Sequence, residues 1–221
     1  PLGFGQITGI DLQGEARGVL PSTEWKKNTF KKPEQQKWYE GETISLGIGQ
    51  GYNSFTILQL AHAMANVANN GIVMKPHLVK AIEDPFTRKR SLTTPKESYR
   101  IDLNPENIEV IKKAMLEVNN SGTSASVFKG TGYQVGGKTG TAQVFSLNSK
   151  EYNHGSTAEF LRDHALYVAF APAEKPTIVI AMVVENAGFG AQYAAPIARK
   201  ALDFYLEGKW PKEIPEWKRA P

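Results

Sequence analysis

The sequence predicts helices combined with antiparallel strands, and two observations support this prediction. Two segments carry apolar residues at helical spacing, "ILQLAHAMANVAN" from Ile57 and "PENIEVIKKAMLEVNN" from Pro105. Two apolar segments, "LYVAFAP" and "TIVIAMVVEN", follow one another with only a proline-containing turn between them. Because that turn leaves no room for a crossover helix, we expect the two strands to pair antiparallel.

The first stretch, 1–51, is rich in glycine and turn sequences and is predicted to be a loop-dominated region over a core. The segment 52–120 is predicted to be the helical part. In it Thr56 caps the first helix, which Gly71 ends. "IVMKPHLVKAI" then predicts one or two short strands interrupted by Pro76, and "EDPFTRKRSLTTPKES" an exposed hairpin or insertion.

A second helix is expected to begin after Asn104, with Pro105 in its first position. One face of this helix is predicted to carry Ile108, Ile111, Met115 and Val118. The segment 121–208 is expected to hold a glycine-rich strand, the apolar hairpin and a closing helix, "APIARKALDFYLEG". The segment 209–221 is expected to be an extended tail.

Composition limits the classes of function. The chain has 221 residues, a net charge of +4 and no cysteine, which excludes disulfides, thiolate zinc sites and a cysteine nucleophile. Small basic clusters such as Lys26-Lys27 and Arg88-Lys89-Arg90 are interpreted as solvated charge on loops, so no nucleic-acid partner is predicted. The four histidines lack metal-ligand spacing, and no metal or cofactor is predicted.

The segment "GYQVGGKTGTAQV" fits two different motifs. Gly132 to Thr139 matches the phosphate-loop pattern G-x-x-x-x-G-K-[ST], while Lys138 to Gly140 forms K-T-G, a motif of serine acyl-transfer enzymes. A phosphate loop needs a helix that begins at the Lys-Thr pair, but Gly140 and β-favouring residues follow here. Glu185 could serve as the magnesium-binding acid, yet it ends a hairpin strand. The nucleotide interpretation is therefore disfavoured.

The K-T-G interpretation requires a β-strand with an accessible edge. Three glycines, Gly136, Gly137 and Gly140, leave room for the backbone of a peptide ligand beside the strand. Lys138 offers a cation, and the hydroxyls of Thr139 and Thr141 can donate to a carboxylate. A structural strand with a solvent-exposed lysine remains open as the simpler interpretation.

With these motifs in place, the chain resembles the C-terminal part of a class B penicillin-binding transpeptidase of the penicillin-binding protein 2 group. The resemblance rests on segments that occur in family order: "GFGQITGIDLQGEARGVLP", "WYEGETISLGIGQGY", "TILQLAHAMANVANNG", "VGGKTGTAQVF" and "RDHALYVAFAP". It covers nearly the whole chain, although Ile57 stands where the family usually has proline. The resemblance implies an α+β fold, in which helices flank an antiparallel sheet that carries K-T-G on one strand.

The resemblance also implies an activity. Members of the family are serine D,D-transpeptidases that crosslink peptidoglycan stem peptides through an acyl-enzyme, and β-lactam antibiotics acylate them. By resemblance, Lys138, Thr139, Gly140 and Thr141 bind the substrate, with the N–H of Thr141 in the oxyanion hole and Lys138 aiding proton transfer. We further expect a glycosyltransferase partner of the elongation machinery and a place at the periplasmic face of the bacterial inner membrane.

Two further family motifs, S-x-x-K with the nucleophile and S-x-N, are expected upstream of K-T-G. Ser126 to Lys129 and Ser146 to Asn148 fit these patterns, but their positions relative to K-T-G do not suit the family. The chain begins without methionine. We therefore expect the sequence to be a fragment, and the resemblance implies that a preceding segment carries the serine and a single-pass membrane anchor. These 221 residues alone are expected to be inactive.

Two points remain open at the level of sequence. Phe145, Tyr152 and Phe189 could border a substrate cleft, although the sequence does not fix their orientation. An alternative function is a penicillin-fold sensor or scaffold that binds a muropeptide or a protein partner without turnover.

Overall fold

The computed structural model describes residues 2–144 and 157–213 of the chain. It forms two compact units, which are Pro1–Asn66 with Gly71–Asp102, and Val67–Asn70 with Leu103–Pro221. Both units combine helices with antiparallel strands, in agreement with the predicted α+β class. No helix in the described ranges is long and apolar enough to cross a membrane.

The first unit contains helices and two small antiparallel sheets. In these sheets β1 pairs with β4 and β2 pairs with β3. The exposed hairpin predicted after Pro76 is therefore confirmed as the β2–β3 pair. The elements are α1 (Thr23–Thr29), α2 (Pro33–Gln36), α3 (Glu40–Gly47), α4 (Ile57–Ala68), β1 (Ile72–Met74), β2 (Ala81–Glu83), β3 (Arg90–Leu92) and β4 (Glu97–Arg100).

The stretch predicted to be loop-dominated contains three short helices, each of which begins at a local signal. The Ser22 hydroxyl accepts from the Trp25 N–H at 3.0 Å and caps α1. Pro33 occupies the first position of α2. The Glu42 carboxylate accepts from the Tyr39 N–H at 2.9 Å at the start of α3. These helices were not predicted, because the many glycines of this stretch indicated turns.

Lys26, which was interpreted as part of a solvated cluster, is buried with 3% of its surface exposed. Its ammonium group donates to the Lys37 carbonyl at 2.7 Å and to the Glu42 carboxylate, and it lies over the rings of Tyr39 and Tyr52. The hydrogen bond from Lys26 lowers the pKa of Glu42 below its ordinary value. Burial of a lysine requires partners of this kind, because a buried charge without them is costly. The Lys26–Glu42 pair thereby connects α1 to α3.

Helix α4 starts at the predicted cap Thr56, and Gln59 in its first turn also holds the N-terminal loop. The Thr56 hydroxyl accepts from the backbone N–H of Gln59 at 3.1 Å, and the side-chain oxygen of Gln59 accepts from the backbone N–H of Thr56 at 3.0 Å. The amide nitrogen of Gln59, a residue that is 1% exposed, donates to the carbonyls of Gln6 and Arg17 at 2.6 and 2.8 Å. One side chain therefore both caps the helix and anchors the loop.

The second unit is built on a three-stranded antiparallel sheet with the order β5-β6-β7. The predicted apolar hairpin is the β6–β7 pair. The elements are α5 (Pro105–Asn120), α6 (Ala125–Phe128), β5 (Gly136–Ala142), a single 3-10 turn (Glu159–Leu161), β6 (His164–Ala171), β7 (Ile178–Val184) and α7 (Gly190–Glu207).

Two details of these helices differ from the prediction. Helix α7 was predicted to begin at Ala195, but it begins at Gly190 and contains Pro196 in its interior. In α5 the buried face includes Ile108, but Ile111 is 45% exposed. The stripe instead continues through Met115 to the buried Asn119, so it ends on a polar residue.

Small residues let α7 lie close to the sheet. The buried core combines inward-facing residues of β6 with one face of α7, where alanines predominate. Its members are Phe128, Val135, Ala165, Tyr167, Ala169, Ala171, Ala194, Ala195, Ala198 and Leu202.

We expect the Gln59→Leu variant to lose about 2–4 kcal/mol of unfolding free energy, because the carbonyls of Gln6 and Arg17 would lose their buried donor. Urea denaturation of the full-length protein, followed by circular dichroism, measures this loss. The exposed Gln35 provides the matched control, and Gln35→Leu should change the free energy by no more than about 0.5 kcal/mol. Equal losses in both variants would contradict the anchoring role of Gln59.

Candidate active site

The K-T-G motif lies in β5, which is an edge strand of the sheet in the described part of the chain. Lys138, Thr139 and Gly140 stand opposite Val168, Tyr167 and Leu166 of β6. The strand continues to Ala142, so no helix begins at the Lys-Thr pair. The local structure that a phosphate loop requires is therefore not present, and the K-T-G interpretation is favoured.

Two of the three glycines in β5 are required by packing against aromatic rings, one on each face of the strand, because consecutive strand residues point to opposite faces. A Cβ atom on Gly137 would lie 2.2 Å from the hydroxyl oxygen of Tyr167, and one on Gly136 would lie 2.3 Å from the ring of Phe170. Both glycines are buried. They were predicted to make room for a ligand, but their space is occupied by the two aromatic rings. Gly140 is partly exposed, and a Cβ atom there would meet the Leu166 side chain at 3.3 Å.

A buried amide joins the elements around the start of β5. The Asn119 side-chain N–H donates to the Val135 carbonyl at 2.7 Å, and its carbonyl oxygen accepts from the hydroxyls of Ser124 and Tyr167 at 2.6 and 2.9 Å. Asn119 is 5% exposed, and both hydroxyl residues are fully buried. This cluster of Asn119, Ser124, Tyr167 and the Val135 carbonyl, which we call the Asn119 cluster, connects α5, α6, β5 and β6.

The electrostatics of the Asn119 cluster keep it neutral. Burial raises the pKa of the Tyr167 hydroxyl above its ordinary value, although hydrogen bonds to Asn119 and Ser124 act in the opposite direction. The Tyr167 hydroxyl therefore remains a protonated donor at every pH at which an exposed tyrosine is protonated, and at higher pH as well.

The groups that can bind an anion follow the two buried glycines along β5. Lys138 is exposed, and its ammonium group donates to the Thr139 carbonyl at 2.6 Å. The Thr139 hydroxyl lies 3.1 Å from the Thr123 hydroxyl. Because the backbone groups of alternate residues point to the same side of a strand, the N–H of Thr141 shares the side of that Thr139 carbonyl. The strand thus presents a cation, hydroxyl groups and a backbone donor in sequence.

The two sequence motifs that mimic family motifs have different outcomes. Ser126 lies in α6 and Lys129 follows that helix. Both border an open cavity of about 1020 Å³ that none of Lys138, Thr139 or Thr141 lines. Ser146 and Asn148 lie outside the described residues, as do Phe145 and Tyr152.

The remaining residues considered in the sequence are Phe189 and the histidines. Phe189 precedes α7 and is 51% exposed. His62 contacts the Met74 carbonyl at 3.0 Å, and His164 accepts from the Asn186 N–H at 2.9 Å. Within the ranges that the structure describes, no three His, Asp or Glu residues are grouped as a metal site would require.

The geometry agrees with what comparison with known families shows. The penicillin binding protein transpeptidase domain matches residues 1–203. The chain belongs to this family. The peptidoglycan D,D-transpeptidase MrdA of Haemophilus influenzae is 42% identical over 218 residues, covering 95% of this chain and 32% of the relative. The MrdA of Escherichia coli K12 is 39% identical over 216 residues, covering 96% and 33%. The chain thus spans about a third of the length of these relatives.

Solved structures show the same fold. Pseudomonas aeruginosa PBP2 in complex with WCK 5153 matches with a TM-score of 0.75 and 38% identity, covering 97% of this chain and 44% of that one. PBP2 of Helicobacter pylori, in a complex with MreC, matches with a TM-score of 0.71 and 28% identity, covering 94% and 34%. The predicted penicillin-binding α+β fold and the resemblance to this family are confirmed.

Sequence reasoning missed the residues that support the strand. Asn119 was interpreted only as the end of a helix, and Tyr167 only as part of an apolar strand. One signal was available, since a polar residue occupies the buried stripe of α5 one helical turn beyond Met115. The partners of Asn119 lie in other elements and carry no local signal.

The raised pKa of Tyr167 predicts a loss of stability in alkaline solution. A group whose pKa is higher in the folded state contributes stability below its unfolded pKa, here 10.0, and loses it as the pH rises further. The unfolding free energy of the wild type should therefore fall above pH 10. The Tyr167→Phe variant should be less stable at pH 7 but should lose less between pH 9 and 11. Urea titrations of the full-length protein at each pH test this, and parallel curves for both proteins would contradict it.

Proposed function

We propose that the whole protein is a serine-type peptidoglycan D,D-transpeptidase and that this chain supplies the strand that binds the substrate carboxylate. The observation that carries this proposal is the edge strand β5, which carries Lys138, Thr139 and Thr141 and begins directly after the Val135 carbonyl of the Asn119 cluster. Membership of the penicillin-binding transpeptidase family and the MrdA relatives support the same reaction class.

In the proposed reaction, a serine hydroxyl attacks the carbonyl of the penultimate D-alanine of a stem peptide. The peptide bond breaks, the terminal D-alanine leaves with a proton, and an ester to the serine forms. An amine of a second stem then attacks the ester, which frees the serine and completes the crosslink. The serine is proposed to come from outside these 221 residues, because neither Ser126 nor Ser146 stands in the family order relative to Lys138.

The residues of β5 have separate proposed roles. The ammonium group of Lys138 and the hydroxyls of Thr139 and Thr141 bind the terminal carboxylate, by charge-assisted hydrogen bonds. The N–H of Thr141 donates to the developing oxyanion, an interaction worth about 3–4 kcal/mol in comparable enzymes. Lys138 also assists proton transfer at the serine of the second motif. Gly140 keeps the backbone between the two threonines free of a side chain.

β-Lactams are proposed to enter the same site, because their carboxylate and strained amide imitate the end of the stem peptide. The acyl-enzyme they form would then persist. The proposed location is the periplasmic face of the inner membrane, with one N-terminal anchor and a glycosyltransferase partner. Two similar structures support protein partners, since one holds H. pylori PBP2 with MreC and another is a peptidoglycan synthase complex that coordinates polymerization and crosslinking.

We expect the Lys138→Met variant of the full-length protein to be acylated by a fluorescent penicillin roughly 10- to 150-fold more slowly than the wild type. This range corresponds to the loss of a hydrogen bond to a charged group, about 1.5–3 kcal/mol. Gel fluorescence over a time course gives the second-order rate.

Lys129→Met provides the matched control, because Lys129 is an exposed lysine of the motif-like Ser126 to Lys129 segment. Its rate should stay within about twofold of the wild type, since it lies outside the proposed site. A folded wild-type protein that takes up no penicillin would refute the proposed function. A labelled wild type that forms no crosslinks from stem peptides would favour the sensor alternative.

A further inference from the structure

A threonine outside the K-T-G motif contacts the motif directly. Thr123 lies in the turn between α5 and α6, and its hydroxyl oxygen is 3.1 Å from the hydroxyl oxygen of Thr139. Each hydroxyl has one proton to donate and two lone pairs that accept. Only one of the two groups can therefore be the donor in this contact.

The position of Thr123 is fixed on both sides. A Cβ atom on Gly122 would lie 2.8 Å from the Cα of Val118, so the turn folds tightly against the end of α5. On the other side, the N–H of the buried Ser124 donates to the Val118 carbonyl at 3.2 Å. The Ser124 hydroxyl also donates to Asn119 at 2.6 Å.

The same amide therefore holds both partners of the contact. Asn119 accepts from Ser124, which is adjacent to Thr123, and it donates to the carbonyl of Val135, which directly precedes β5 and its Thr139. The distance between the two threonine hydroxyls is thus set by buried groups, although Thr123 itself is exposed and Thr139 is half-buried. Exposed hydroxyls that contact each other by chance would lack this support.

We propose that Thr123 is a positioning residue that directs the proton of the Thr139 hydroxyl toward the carboxylate of the ligand. This inference rests on the proposed function of β5. When Thr123 donates to Thr139, the Thr139 proton is available for an anion. In the opposite arrangement Thr139 would present only lone pairs, which repel a carboxylate. The arrangement that binds the ligand is a chain of two hydrogen bonds, and each bond polarises the next.

This role predicts which side chains can replace Thr123. Serine retains the hydroxyl and should retain the function, whereas valine keeps the shape of threonine and removes the donor. Because the effect of Thr123 passes through Thr139, removal of the Thr139 hydroxyl should make position 123 unimportant. A purely structural role would show neither dependence.

The experiment is a double-mutant cycle on the full-length protein, with the acylation rate by a fluorescent penicillin as the readout. Thr123→Val should lower the rate by about 3- to 12-fold, the effect of one neutral hydrogen bond, and Thr123→Ser should restore it to within about twofold. Thr139→Val should also lower the rate. The double variant Thr123→Val/Thr139→Val should be no slower than Thr139→Val alone.

Ser121→Ala is the matched control, because its hydroxyl lies in the same turn but bonds the Glu117 carboxylate at 3.0 Å. It should leave the rate unchanged. Additive losses in the double variant, an unchanged rate in Thr123→Val, or failure of Thr123→Ser to restore the rate would each overturn the inference. These outcomes are distinct from failure of the proposed function, which would appear as a wild-type protein that is not acylated.

Discussion

The side-chain amide of Asn119 is the constraint on which the geometry of β5 depends. It binds the carbonyl just before the strand and two buried hydroxyls, one from the turn before α6 and one from β6. A buried amide without partners would cost several kcal/mol, so the cluster is stable only when all of these elements are in place. The glycine at position 137 follows from it, because only glycine there leaves space for the Tyr167 hydroxyl that reaches Asn119.

The two ends of β5 therefore serve different purposes. The start of the strand, with Gly136 and Gly137, is buried against neutral groups that fix the backbone, while further along Lys138 is exposed and the two threonines are half-buried. A rigid backbone is what a carboxylate site needs, because preorganised donors do not have to reorient when charge arrives or develops. The buried Asn119 cluster thus holds in place the strand that carries the proposed binding groups.

Sequence alone predicted those parts of the fold that depend on local signals. Helices α4 and α5 have a capping residue and a periodic apolar face, and the β6–β7 hairpin has two apolar segments around a short turn. K-T-G could be placed on a strand because Gly140 excludes a helix start. What could not be predicted depends on contacts between distant residues. The burial of Lys26 depends on Glu42 and two tyrosines, and the role of Asn119 depends on residues of α6, β5 and β6. The start of α7 was also misplaced, because the helix begins at Gly190 and continues through Pro196.

The most direct test of this account is the acylation rate of the Asn119→Leu variant of the full-length protein, measured below its melting temperature. Leucine has nearly the shape of asparagine but cannot bind the Val135 carbonyl or the two hydroxyls. Acylation of this variant by a fluorescent penicillin should slow by about tenfold or more while circular dichroism still shows a folded protein. The neighbouring variant Asn120→Leu, on the exposed side of α5, should react at the wild-type rate. A folded Asn119→Leu protein that is acylated as fast as the wild type would show that the geometry of β5 does not depend on Asn119.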